Sequence, residues 1–211
     1  KSLYFPVPRI RRFWKVRLKD CSLGNVERSI LGVARHGDVP SWEIPQPWFD
    51  YLRTRDARPL ERVFRHHLYD ILSLVGLTAW LSQCLQVPDG EGFEYPEDRL
   101  SLVRIHNRQK RHEEVVRYGK RLLESAENEF VRREAYEMVA QAYKRLKDFG
   151  RMQETWERML AEFPKDLRAR LELAKHHEHR TRNLLEAWRI CVETVALLEQ
   201  RDTAGRELGL A

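Results

Sequence analysis

The chain has 211 residues, 33% of them charged and 42% hydrophobic, with a mean hydropathy of −0.62 and a formal net charge of +6. Such a composition describes a soluble, helix-rich protein of one or two domains, and the lack of any run of 18 apolar residues predicts no membrane span. Cys21, Cys84 and Cys191 are odd in number and far apart; with no C-x-x-C pair and no secretory signal pattern, they argue against a disulfide framework and point to a reducing cytoplasm.

Val7-Pro8 precedes a predicted helix whose stripe of Ile10, Phe13, Trp14 and Leu18 faces inward, with Arg9, Arg11, Arg12, Lys15 and Arg17 on the other side. A tryptophan on an apolar stripe is read as core before it is read as a stacking platform for a base. Ser22 is the predicted N-cap of a second helix, in which Leu23, Val26, Ile30 and Leu31 face inward and which Gly32 ends. From Arg35 to Pro47 the chain is punctuated by Gly37, Pro40, Pro45 and Pro47 and reads as a surface loop. Trp48, Phe49, Tyr51 and Leu52 then start a short helix.

Leu60 to Leu85 is the predicted central helix. Val63, Phe64, His67, Ile71, Leu74 and Thr78 recur at steps of three and four, and Leu68, Leu72, Val75 and Ala79 form a row beside them, so burial over most of its girth is expected. His66 and Asp70 stand four residues apart, which a 3.6-residue turn stacks on one face. A histidine and a carboxylate so placed can address one bound ion and the water beside it, although pairs of this kind also arise as ordinary solvated contacts.

Residues 87–98 hold two prolines, two glycines and five acids. They read as a linker between a domain of residues 1–86 and a second of residues 99–201. In the second, Tyr136, Val139, Ala140 and Tyr143 on one helix, then Met152, Trp156 and Met159 on the next, with Pro164 closing, have the offsets of a tetratricopeptide repeat. The flanking units are degenerate: Leu102, Val103, His106, Val115 and Leu122 before it, and Leu173, Ala174, His177, Ala187, Cys191 and Thr194 after it. Stacked hairpins of this sort bury a common core and present a concave face suited to a protein partner. His176-His177-Glu178-His179 has histidines at metal-ligand spacing but no completing ligand and reads as helix surface. Residues 202–211 read as a fraying tail.

Charge is divided unevenly along the chain. Residues 1–86 carry 14 basic and 8 acidic side chains, whereas residues 87–211 carry 24 of each. An excess of this sign attracts a phosphate backbone without reading its sequence, or forms a solvated face.

Asp20-Cys21-Ser22-Leu23-Gly24-Asn25-Val26-Glu27, Gly37-Asp38-Val39-Pro40 with Glu43-Ile44-Pro45, the run from Phe49 to Leu60, and His66-x-x-x-Asp70-Ile71-Leu72-Ser73-Leu74 follow one another in a set order and spacing. In this the chain resembles the C-terminal part of the YprB-like ribonuclease H-fold domain, a DEDD-type 3′–5′ exonuclease family. The resemblance implies a mainly α fold for the residues in hand: the helical C-terminal portion of a ribonuclease H-like α/β domain, followed by a tetratricopeptide-like solenoid. It also implies phosphodiester hydrolysis of DNA or RNA at two Mg²⁺ or Mn²⁺ ions, with His66 as general base and Asp70 as a metal ligand. The family's Asp-x-Glu strand and second Asp would precede Asp20 and do not occur there. Asp89-Gly90-Glu91 is the one Asp-x-Glu present, and it lies in the Gly/Pro segment. The expectation is a fragment that does not hydrolyse nucleic acid by itself, the alternatives being a non-catalytic nucleic-acid-binding segment or a protein-interaction module.

Overall fold

The computed structural model describes residues 13–40 and 42–207; Ile10 and the basic residues Lys1, Arg9, Arg11 and Arg12 lie outside them. The chain divides into two compact units, Lys1–Ser101 and Leu102–Ala211. Among the described residues there are helices and turns and no strand, in keeping with the mainly α class.

In the first unit a 3₁₀ turn, Trp14–Val16, buries Phe13 and Trp14 completely. Their rings meet those of Trp80 and Phe93 at centroid distances of 5.2–6.0 Å, so this tryptophan is core. Helix α1, Leu23–Val26, runs into a single π turn, Glu27–Leu31, which Gly32 closes in the left-handed region at φ 68°. Ser22 stands at the N-cap, but its hydroxyl donates to the Asp20 carboxylate at 2.7 Å rather than capping. Helix α2, Pro45–Thr54, starts on a proline, whose fixed φ suits a first turn.

Helix α3, Leu60–Gln86, has 27 residues, about 40 Å at 1.5 Å per residue. Burial over most of its girth is corrected by the structure. Leu60, Val63, Leu77, Leu81 and Cys84 are buried, whereas Phe64, Leu68, Tyr69, Ile71, Leu72 and Val75 remain 39–67% exposed. The apolar pattern covers more of the helix than its neighbours in this unit can cover. By length and composition alone α3 could also cross a membrane, which corrects the expectation drawn from the absence of an unbroken apolar run.

Residues 87–98, expected to be a linker, pack tightly. The backbone of Gly92 comes so close to Cys84 that a Cβ would lie 2.3 Å from the Cys84 carbonyl oxygen. Phe93 is fully buried, and Asp98, expected to be solvated, is 1% exposed and paired with Arg17 at 3.0 Å.

The boundary between the units falls within helix α4, Pro96–Arg108. The second unit continues with α5, His112–Ser125, α6, Glu129–Arg145, α7, Phe149–Glu162, α8, Leu167–His176, and α9, Leu184–Glu207. Asn128, Asp148 and Asp166 each accept a hydrogen bond from a backbone N–H in the first turn of α6, α7 and α8, satisfying a donor that the helix leaves free. Tyr136, Val139, Ala140, Tyr143, Met152, Trp156 and Met159 form one buried cluster with Phe163, Ala169, Leu173, Ala174 and Ile190. Gly119 lets α5 approach α6, since a Cβ there would lie 2.3 Å from a Val139 methyl.

Three expectations for this unit are corrected. His176 and His177 are buried rather than on the helix surface. Cys191 is exposed and Ile190 takes the inward place. Helix α9 continues through Glu207 where a fraying tail was expected.

Candidate functional site

The residues singled out on α3 meet three others that its sequence neighbourhood does not supply. His66 and Asp70 share one face, with His66 Nε2 3.4 Å from Asp70 Oδ2. The other ring nitrogen, Nδ1, lies 2.8 Å from Asp38 Oδ1. A carboxylate can only accept, so the Nδ1 proton goes to Asp38 and Nε2 is left with its lone pair toward Asp70. Asp38 is held in turn by the Val39 N–H, which donates to Oδ1 at 2.8 Å.

Arg35 joins the acids together. Its Nη1 donates to Asp38 at 3.0 Å and its Nη2 to Asp70 at 2.8 Å. Nε donates to Glu27 at 2.9 Å, and Nη2 makes a second, short contact with the same carboxylate. Glu27 is fully buried and opens the π turn after α1, the kind of local insertion that re-aims a side chain. This bidentate fork is the geometry that a guanidinium offers a carboxylate and a lysine cannot.

Burial pushes the Asp38 carboxyl up, but the hydrogen bonds from His66 and Arg35 outweigh it and hold the group below its ordinary range. Burial works against the charge on Arg35 too, and its bonds to Glu27, Asp38 and Asp70 raise it above its usual value. With His66 neutral, three carboxylates face one guanidinium, an excess of negative charge that favours a further cation nearby.

A two-metal centre asks for more than these residues give. Divalent magnesium and manganese take several oxygen ligands each. Here one Asp70 oxygen is engaged by Arg35 and the other faces His66. Among the described residues, no group of three or more His, Cys, Asp or Glu side chains is arranged to hold a metal ion. The residues present do not fit a two-metal site on their own.

Beside the cluster is a cavity of about 450 Å³ lined by Val39, Trp42, Pro47, Asp50, Pro59 and Arg62 among others. Arg62 is one helical turn before His66, and Trp42, 79% exposed, stands at the cavity wall.

Sequence reasoning placed His66 and Asp70 on one face and missed the roles of Glu27, Arg35 and Asp38. Glu27 and Asp38 occur in the segments that carry the family resemblance, which was a signal for them. Arg35 had none, being one basic residue among many in the first unit.

Comparison with known proteins agrees with the motif reading. Residues 3–82 match the RNase H superfamily and residues 133–176 a tetratricopeptide repeat. Over 199 residues the chain is 25% identical to YprB of Bacillus subtilis (strain 168), an uncharacterized protein, covering 92% of this chain and 47% of that one. The chain thus spans about half the length of the curated relative it matches. No solved structure matches it.

Proposed function

We propose that this chain, an RNase H superfamily segment followed by a tetratricopeptide repeat, works as the C-terminal part of a 3′–5′ exonuclease acting on DNA or RNA in the cytoplasm. His66 is the general base, positioned by Asp38, and Asp70 is the one ligand this chain offers to a pair of Mg²⁺ or Mn²⁺ ions. The other ligands come from polypeptide of a longer protein. The observation that carries the reading is the order Asp38–His66–Asp70, in which the proton on Nδ1 is fixed by one acid while Nε2 stays basic beside a second. The bare apolar face of α3 supports it, since a ribonuclease H-like α/β domain needs a sheet under such a face and the described residues contain no strand. The second unit serves to bind a protein partner, as stacked helical hairpins commonly do.

The test uses the chain joined to the preceding residues of its full-length protein. Labelled single-stranded DNA and RNA should be shortened in Mg²⁺ or Mn²⁺, Asp70→Asn should abolish this, and the 211-residue chain alone should be inactive. Cleavage by Asp70→Asn at the wild-type rate, or robust cleavage by the isolated chain free of contaminating nuclease, would overturn the proposal.

One observation favours a second reading: the Arg35 guanidinium already occupies Asp70, as in a site that binds nucleic acid without cleaving it. Salt-sensitive binding unchanged by Asp70→Asn, with no cleavage by the full-length protein, would select that reading.

A further inference from the structure

Helix α9 carries two apolar seams where the last helix of a stack needs one. On the inner side Ala187 and Ile190 are buried in the second unit. On the outer side Leu184, Leu185, Trp188, Val192, Val195 and Leu198 keep 44–77% of their surface exposed, and Cys191 is exposed in the same row. Terminal elements of a solenoid are soluble because their outer face is polar. This helix departs from that rule over four turns.

The steps along the outer seam, Leu185, Trp188, Val192, Val195, are three, four and three, the spacing that lets one helix pack along another. The seam is also self-complementary. An antiparallel copy related by a two-fold axis between Cys191 and Val192 sets Leu185 against Leu198, Trp188 against Val195 and Cys191 against Val192. Each of these pairs then occurs twice, as an isologous interface requires. Arg189 lies beside the seam and is neutralised on its own helix by Glu186 and Glu193, so no unpaired charge at that position opposes the contact. The six exposed side chains offer on the order of 600 Å² per copy, or roughly 1,200 Å² in all, which reaches the range of specific interfaces.

We propose that the outer face of α9 is a homodimer interface, in which two copies of this chain pair antiparallel through Leu185, Trp188, Val192, Val195 and Leu198 with the two-fold axis beside Cys191. The proposal does not depend on the nuclease reading.

Sedimentation of the chain at tens of micromolar should give twice its 25.2 kDa mass. Trp188→Glu should return it to the single mass with unchanged helical circular dichroism. Because that tryptophan contributes to the outer seam and not to the inner one, the fold should survive the change; Val195→Glu, on the same seam, should give the same result if Trp188→Glu aggregates. A short bis-maleimide should link two chains through Cys191, and Cys191→Ser should remove the linked species. A monomeric wild type, a dimer that persists in both glutamate variants, an open-ended series of larger species, or a dimer that cannot be linked through Cys191 would each overturn the proposal.

Discussion

Replacing Asp98 with asparagine tests how the fold holds its one deeply buried acid on the aromatic side of the first unit. The Asp98 side chain is 1% exposed, and burial pushes its carboxyl up to about 6 from an ordinary 3.8, although Arg17 pulls the other way. An acid with a raised pKa in the folded state binds its proton more tightly there than in the unfolded chain. The stability it adds is therefore fully present below pH 4 and is lost as the pH rises through about 6. Two pH units at 1.36 kcal/mol each amount to about 3 kcal/mol. Asp38, Glu162 and Glu172, whose carboxyls lie below their ordinary values, act oppositely and at lower pH, so the two effects separate. Urea unfolding followed by tryptophan emission at pH 4, 5, 6 and 7 should show stability falling over this window in the wild type. The fall should vanish in Asp98→Asn, whose curve crosses that of the wild type. Parallel curves for the two proteins, or a carbon-13 titration of the Asp98 carboxyl near pH 4, would refute the reasoning.

Other outcomes follow from single contacts. Arg35→Met removes the only cation bonded to Glu27 in the site and leaves a fully buried carboxylate uncompensated; a loss of about 3–5 kcal/mol is expected by chemical denaturation, with Glu27→Gln restoring part of it. Gly119→Ala drives a methyl into Val139, a stiff side chain with no room to turn, and should cost about 1–3 kcal/mol, seen as a lower melting temperature. Gly92→Ala meets the Cys84 backbone rather than a side chain, so it should be the more damaging of the two and should also speed alkylation of the buried Cys84 thiol.

By itself the sequence determined the elements and their inner faces where a stripe is narrow. Phe13 and Trp14 fall in the core, the row from Tyr136 to Met159 forms a buried cluster, and His66 stacks over Asp70, because a 3.6-residue period fixes which side chains share a face. It did not determine what each face meets. The apolar pattern of α3 is the same whether or not something lies against Phe64, Leu68 and Ile71, so periodicity alone overstated its burial. One position separates Cys191 from Ile190, which is about 100° of rotation, and only packing against the rest of the second unit chose the inward one. Asp98 reads as a solvated acid until Arg17, 81 residues away, comes to lie against it. The cluster of Glu27, Arg35, Asp38, His66 and Asp70 draws on a π turn, a loop and a helix that no single period relates; tertiary structure decided it, because a guanidinium finds its carboxylates through space and not along the chain.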